Sequence, residues 1–205
     1  MLASVAVHRR SGRGGGERRW LAAGYGGLAG FFLLERLLRQ PGEPSSLKTS
    51  GDDRGTTKLL IAAYGLAVDA PLLARWLPGR PLPPVAAPAG LVVEVTGLAW
   101  RAWSMRALGC SYSRTLRVAE GDDRQTVVDA GPYRLIRHPG YLGSLLTWAG
   151  FALTSRRAPV VTLILGLLGA AYRQRIAAEE QLLRRELPGY SAYCERTKKL
   201  IPYVW

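Results

Sequence analysis

The residues of this chain best able to hold a polar ligand fall in two short blocks. The first, residues 127–143, reads Val-Val-Asp-Ala-Gly-Pro-Tyr-Arg-Leu-Ile-Arg-His-Pro-Gly-Tyr-Leu-Gly and contains the second of only two histidines. Gly131-Pro132 stops any incoming helix or strand, and His138-Pro139-Gly140 does so again, which leaves residues 133–137 a short turn. Such a turn presents side chains and backbone N–H groups to a ligand. In the second block Arg175 and Glu179 are i,i+4 neighbours, with Arg173 and Glu180 on an adjacent stripe. Two cysteines and two histidines, without ligand spacing, predict neither a disulfide framework nor a protein-bound metal.

The elements that must carry these blocks are apolar. Runs at 20–34, 59–68, 85–93, 141–154 and 158–172 contain almost no ionisable residue, and each extends towards the ~20 residues that cross a bilayer. They predict an all-α protein with about five transmembrane helices. Segments 141–154 and 158–172 are joined by a tight turn, and the resulting hairpin brings 127–141 and 173–183 to one side of the membrane. In the first helix, about 19–38, Gly26 and Gly30 have the small-xxx-small spacing of close helix contacts. Asp69 and Glu94 stand in the second and third spans, where a carboxylate is costly and is expected to face the bundle interior unless it snorkels to the interface.

The net charge is +13, from 28 Lys and Arg against 15 acids. The basic residues gather in caps and loops between apolar runs, a pattern that suits anionic lipid head groups, and no nucleic-acid motif accompanies them. Residues 1–18, rich in Arg and Gly, are expected to be disordered, and residues 40–58 to form a polar linker. Beyond Pro188-Gly189, residues 190–205 read as a short amphipathic segment lying on the membrane.

Gly131-Pro132-Tyr133, Arg137-His138-Pro139 and Tyr141-Leu142-Gly143, followed by Arg175-Ile176, Glu179-Glu180, Leu183, Gly189-Tyr190, Tyr193 and Leu200-Ile201-Pro202, resemble the signature of the isoprenylcysteine carboxyl methyltransferase and phospholipid methyltransferase group of membrane enzymes. The resemblance implies S-adenosylmethionine as cofactor and a lipophilic or prenylated methyl acceptor, in an integral, multi-pass membrane protein whose site faces the cytosol. In a prokaryote that membrane is the plasma membrane. It divides the chain into a basic terminus (1–18), three membrane spans (19–105), and a region with the cofactor loop, hairpin and amphipathic end (106–205).

By the same resemblance Gly131, Pro132, Tyr133, Arg137, His138, Pro139, Tyr141 and Leu142 wrap the cofactor, with Arg137 on its carboxylate and Glu179 on its ammonium. Arg175 and Glu180 serve the reacting end, Arg175 holding an acceptor carboxylate. An ordinary helix-surface salt pair is the alternative for those two, and a lipid contact is the alternative for Arg137. Two departures stand out: Leu187-Pro188-Gly189 replaces the usual phenylalanine-glycine, and Lys199 replaces an arginine. An NADPH-dependent sterol or isoprenoid reductase and a non-catalytic scaffold are the competing readings.

Overall fold

The computed structural model describes residues 2–38, 55–109 and 127–201. Most of the expected linker, part of the loop at 106–130, Cys110 and residues 202–205 lie outside the described residues. Six helices follow one another: α1 Leu2–Leu37, α2 Thr56–Leu73, α3 Ala86–Leu108, α4 Pro139–Thr154, α5 Ala158–Glu186 and α6 Tyr190–Arg196. The all-α expectation holds. Among the described residues the only β-type pairings are two isolated bridges, 81 with 157 and 136 with 198.

Each of the five apolar runs lies in its own helix. Helices α2 and α5 are long and apolar enough to cross a membrane, each with a mean hydropathy of 1.3 over its apolar stretch. Helix α4, at 16 residues, is about 24 Å long. The basic N-terminal segment departs from expectation, because α1 begins at Leu2 rather than near residue 19. The helix runs through Ser11-Gly12-Arg13-Gly14-Gly15-Gly16 against the low helix propensity of glycine.

A seam of glycines brings α3 and α4 together. Gly90 and Gly97 on α3 meet Gly150 and Gly143 on α4, with seven residues between partners on each helix. A Cβ on Gly90 would lie 2.6 Å from the Gly150 carbonyl oxygen, and one on Gly143 would lie 2.8 Å from the Arg101 nitrogen. Only backbones without side chains approach this closely. The small-residue contact expected at Gly26 and Gly30 is not made there, since Gly26 has no neighbour in reach and Gly30 only touches Leu98. Instead α1 uses Gly24 against Thr154 and Gly27 against Glu94. The stripe is shifted because the face of α1 that meets α3 and α4 is the one carrying Gly24, Gly27, Leu28 and Phe31.

Rings fill the centre of the bundle. Tyr64 of α2 stacks on Trp148 of α4 at 5.0 Å, and Phe31 and Phe151 meet Trp148 edge-on. Ile164, Leu168 and Tyr172 of α5 complete this core. The two carboxylates have different fates: Asp69 is exposed, whereas Glu94 is fully buried and neither of its oxygens has a hydrogen-bond partner among the described residues. At the turn between α4 and α5, Arg156 adopts φ 55°, and its guanidinium donates to the Leu82 carbonyl at 2.8 and 3.0 Å, tying the α2–α3 connection to the hairpin.

Candidate active site

At the opposite end of the hairpin the two polar blocks come together. Gly131 takes φ 58° to start a 3₁₀ turn, Gly131–Arg134, with Pro132 and Tyr133 buried beneath it. The chain then extends through Ile136, Arg137 and His138 and pairs with the C-terminal segment. Arg137 N–H donates to Lys198 O at 2.8 Å, and His138 N–H donates to Lys199 O at 3.0 Å. Pro139 follows at the start of α4, where its missing N–H costs nothing.

Glu180 is the hub. Its Oε1 accepts from Arg137 Nε at 2.8 Å and lies 3.2 Å from His138 Nε2, while Oε2 is 3.4 Å from Lys199 Nζ. Glu180 sits about two turns beyond Tyr172, past the apolar part of α5. Burial by itself would raise its carboxyl, but hydrogen bonds and charge from His138 and Arg137 outweigh burial and hold it well below the usual carboxylate range, at about 2. It is therefore ionised at any physiological pH.

Arg137 also donates through Nη1 to the carbonyls of Cys194, at 3.1 Å, and Thr197. This buried guanidinium thus joins α5 to the stretch after α6. Tyr193 adds a second tie by donating to the Tyr133 carbonyl at 2.7 Å. One helix face away from Glu180, Tyr141 donates to Glu179 Oε2 at 2.6 Å, and the His138 ring lies nearly parallel to the Tyr141 ring at 5.7 Å. Arg175 turns towards α2, donating to Thr57 Oγ1 at 2.8 Å and Thr56 Oγ1 at 3.2 Å.

The sequence-predicted residues therefore gather in one cluster, with a division inside it. His138, Arg137 and Glu180 form one group, and Tyr141, Glu179 and Arg175 form another, with the His138–Tyr141 ring pair between them. Arg175 and Glu180, both expected at the reacting end, face different partners because five residues on a helix separate them by about 140°. Of the other predicted residues, Gly131 lies against Trp103 and Ala107 of α3, Pro132 and Tyr133 are buried, and Leu142 is half-buried.

Arg101, read in sequence only as one of the basic residues that cap the apolar runs at head-group depth, turns inward. Buried in α3, it pairs with Glu35 of α1 and donates to the Gly140 carbonyl at 2.8 Å and to Ser144 Oγ at 2.6 Å, which holds the first turn of α4 directly after His138. No local pattern marks it, since its partners are 66, 39 and 43 residues away.

Residues 90–185, which include His138, Arg175 and both glutamates, match the model of the isoprenylcysteine carboxyl methyltransferase (ICMT) family. This stretch is similar to that family, and the match takes in a little under half of the chain. Two rice proteins (Oryza sativa, indica and japonica), each named probable protein-S-isoprenylcysteine O-methyltransferase, are 30% identical over 117 residues, 56% of this chain and 60% of each relative. The cobalt-zinc-cadmium resistance protein CzcN of Cupriavidus metallidurans is 29% identical over 82 residues, 40% of this chain and 38% of that protein. The fold resembles the solved structure of the eukaryotic intramembrane Ras methyltransferase ICMT, with a TM-score of 0.55 and 18% identity, over 72% of this chain and 52% of that one. The chain thus spans about 60% of the length of its ICMT-family relatives from rice.

Proposed function

We propose that this chain is an integral membrane methyltransferase that uses S-adenosylmethionine to methylate a lipophilic acceptor, the carboxylate of an isoprenylcysteine-like molecule. The observation that carries the reading is the joining of His138, Tyr141, Glu179 and Glu180 into one cluster at the open end of the α4–α5 hairpin, inside the ICMT-family stretch. Its side chains suit the two reactants: a half-buried carboxylate for the cofactor's ammonium, tyrosine and imidazole rings for its nucleoside, and the Arg175 guanidinium for an acceptor carboxylate. When bound, S-adenosylmethionine supplies a methyl group on a sulfonium, which transfers in line to a nucleophile without metal or covalent help from the protein.

The protein's part is placement. Glu179, oriented by Tyr141, would hold the amino-acid end of the donor, and His138 is fixed through its ring by Glu180 and through its backbone N–H by the Lys199 carbonyl. Arg137 organises the site rather than gripping the ligand, since its Nε and Nη1 are engaged with Glu180, Cys194 and Thr197. Arg175, between the α2 hydroxyls and Tyr141, orients the acceptor carboxylate, which is already ionised at neutral pH and needs no base. Glu180 then acts as a positioning residue. Holding both reactants in a site walled by helices replaces a bimolecular encounter with a prearranged one.

Five membrane crossings, with the cluster on the cytosolic side, complete the reading. Leu66, Leu72, Val92, Val95 and Leu163 face outward from the bundle, as lipid-facing residues do. The test is calorimetric titration of purified protein with S-adenosylhomocysteine and, separately, with NADPH. S-adenosylhomocysteine should bind wild-type protein, and His138→Ala should abolish that binding. Binding of NADPH alone would turn the assignment to a reductase, and binding of neither would leave a scaffold.

A further inference from the structure

The proposed mechanism leaves one buried group beside the cluster without a task. Tyr190 opens α6 immediately after Pro188-Gly189 and is 4% exposed. Its ring packs against Tyr193 at 5.8 Å, which is itself tied to the Tyr133 carbonyl, so its direction is set by the same contacts that close the C-terminal segment over the site. Its hydroxyl oxygen is fully buried and has no hydrogen-bond partner among the described residues. Other tyrosine hydroxyls of the bundle differ: Tyr25 reaches the Val68 carbonyl, Tyr64 and Tyr172 pair with each other, Tyr141 reaches Glu179, and Tyr193 reaches Tyr133.

A buried hydroxyl left without a partner loses its hydration and gains nothing in return, so a satisfied state is expected in the working protein. The charged groups felt most strongly by Tyr190 are Glu179 and Glu180, and burial together with these carboxylates raises its pKa, so the hydroxyl keeps its proton. It bonds to neither acid.

We propose that Tyr190 is a further ligand-binding residue, whose hydroxyl completes its hydrogen bonding with the amino-acid end of the S-adenosyl ligand beside Glu179. This rests on the methyl-donor reading above. Phenylalanine keeps the ring and removes only the orphan hydroxyl, which makes the thermodynamic signature unusual: Tyr190→Phe should leave the thermal midpoint of the ligand-free protein unchanged or raise it, while weakening S-adenosylhomocysteine binding.

The loss should be about fivefold or more, as expected for one neutral hydrogen bond. Affinity for 5′-methylthioadenosine, which has no amino-acid end, should not change. An unaltered affinity for S-adenosylhomocysteine would overturn the proposal, as would a lowered ligand-free midpoint, which would reveal an internal partner. An equal loss for both ligands would move the contact to the nucleoside and overturn the assignment to the amino-acid end. Wild-type protein that binds no S-adenosyl ligand would sink the donor reading itself, a result distinct from failure of this contact.

Discussion

Replacing Glu180 with glutamine should destabilise the folded protein by several kcal/mol. The substitution keeps the shape of the side chain and one carbonyl acceptor but removes the charge that faces Arg137, His138 and Lys199. Of these, Arg137 decides the outcome. Its side chain and that of Glu180 are 6% and 7% exposed and 2.8 Å apart, whereas Lys199 is 35% exposed and screened by solvent.

Removing one partner of a buried pair leaves an uncompensated charge and costs about 3–5 kcal/mol. The carbonyls of Cys194 and Thr197 still receive Arg137, which argues for the lower end, about 3 kcal/mol. At roughly 2–4 °C per kcal/mol for a chain of this size, the thermal midpoint should fall by about 6–12 °C. Tryptophan fluorescence of detergent-purified protein reads this directly, since the chain has six tryptophans. A companion variant, Arg137→Met with Glu180→Leu, removes both charges and should recover part of the loss. A single variant whose midpoint moves by less than about 2 °C, or a double variant no better than the single one, would refute the claim that this pair holds the site together.

Gly97→Ala should also destabilise, by about 1–3 kcal/mol, because its new Cβ would press on the backbone of α4 near Gly143; Gly65→Ala, with no neighbour in reach, serves as the control, and equal midpoints for the two would contradict the seam. Arg175→Ala should keep S-adenosylhomocysteine binding within about threefold while cutting transfer of a labelled methyl group to a farnesylated cysteine analogue by a hundredfold or more, about 2.7 kcal/mol. Retained turnover would remove Arg175 from the acceptor site.

The large features of this fold are legible because they repeat. Apolar runs broken by proline and glycine mark α2 to α5, though not the start of α1, and the short turn at residues 155–157 dictates that blocks on either side of the hairpin meet. His138 and Glu180 could therefore be brought together on paper. What could not be read was which group answers which. Arg137 donates to Glu180, Cys194 and Thr197, each more than 40 residues away, and contacts of that range leave no periodic trace. Arg101 was hidden for the same reason. The glycine seam did leave a trace, the seven-residue steps 90/97 and 143/150, but spacing alone cannot say which glycines face a neighbour, and Gly26 and Gly30 looked equally good.

The tie between residues 136–138 and 198–199 also bears on when the protein becomes competent. A ribosome that has finished α5 has made every residue of the hairpin, yet the carbonyls of Cys194, Thr197, Lys198 and Lys199 that fix Arg137 and His138 are still unsynthesised or in its exit tunnel. Until they emerge, a buried cation and an imidazole wait with half their anchors missing. The cluster therefore closes only after the residues beyond α6 have been made, later than the hairpin that carries most of its side chains.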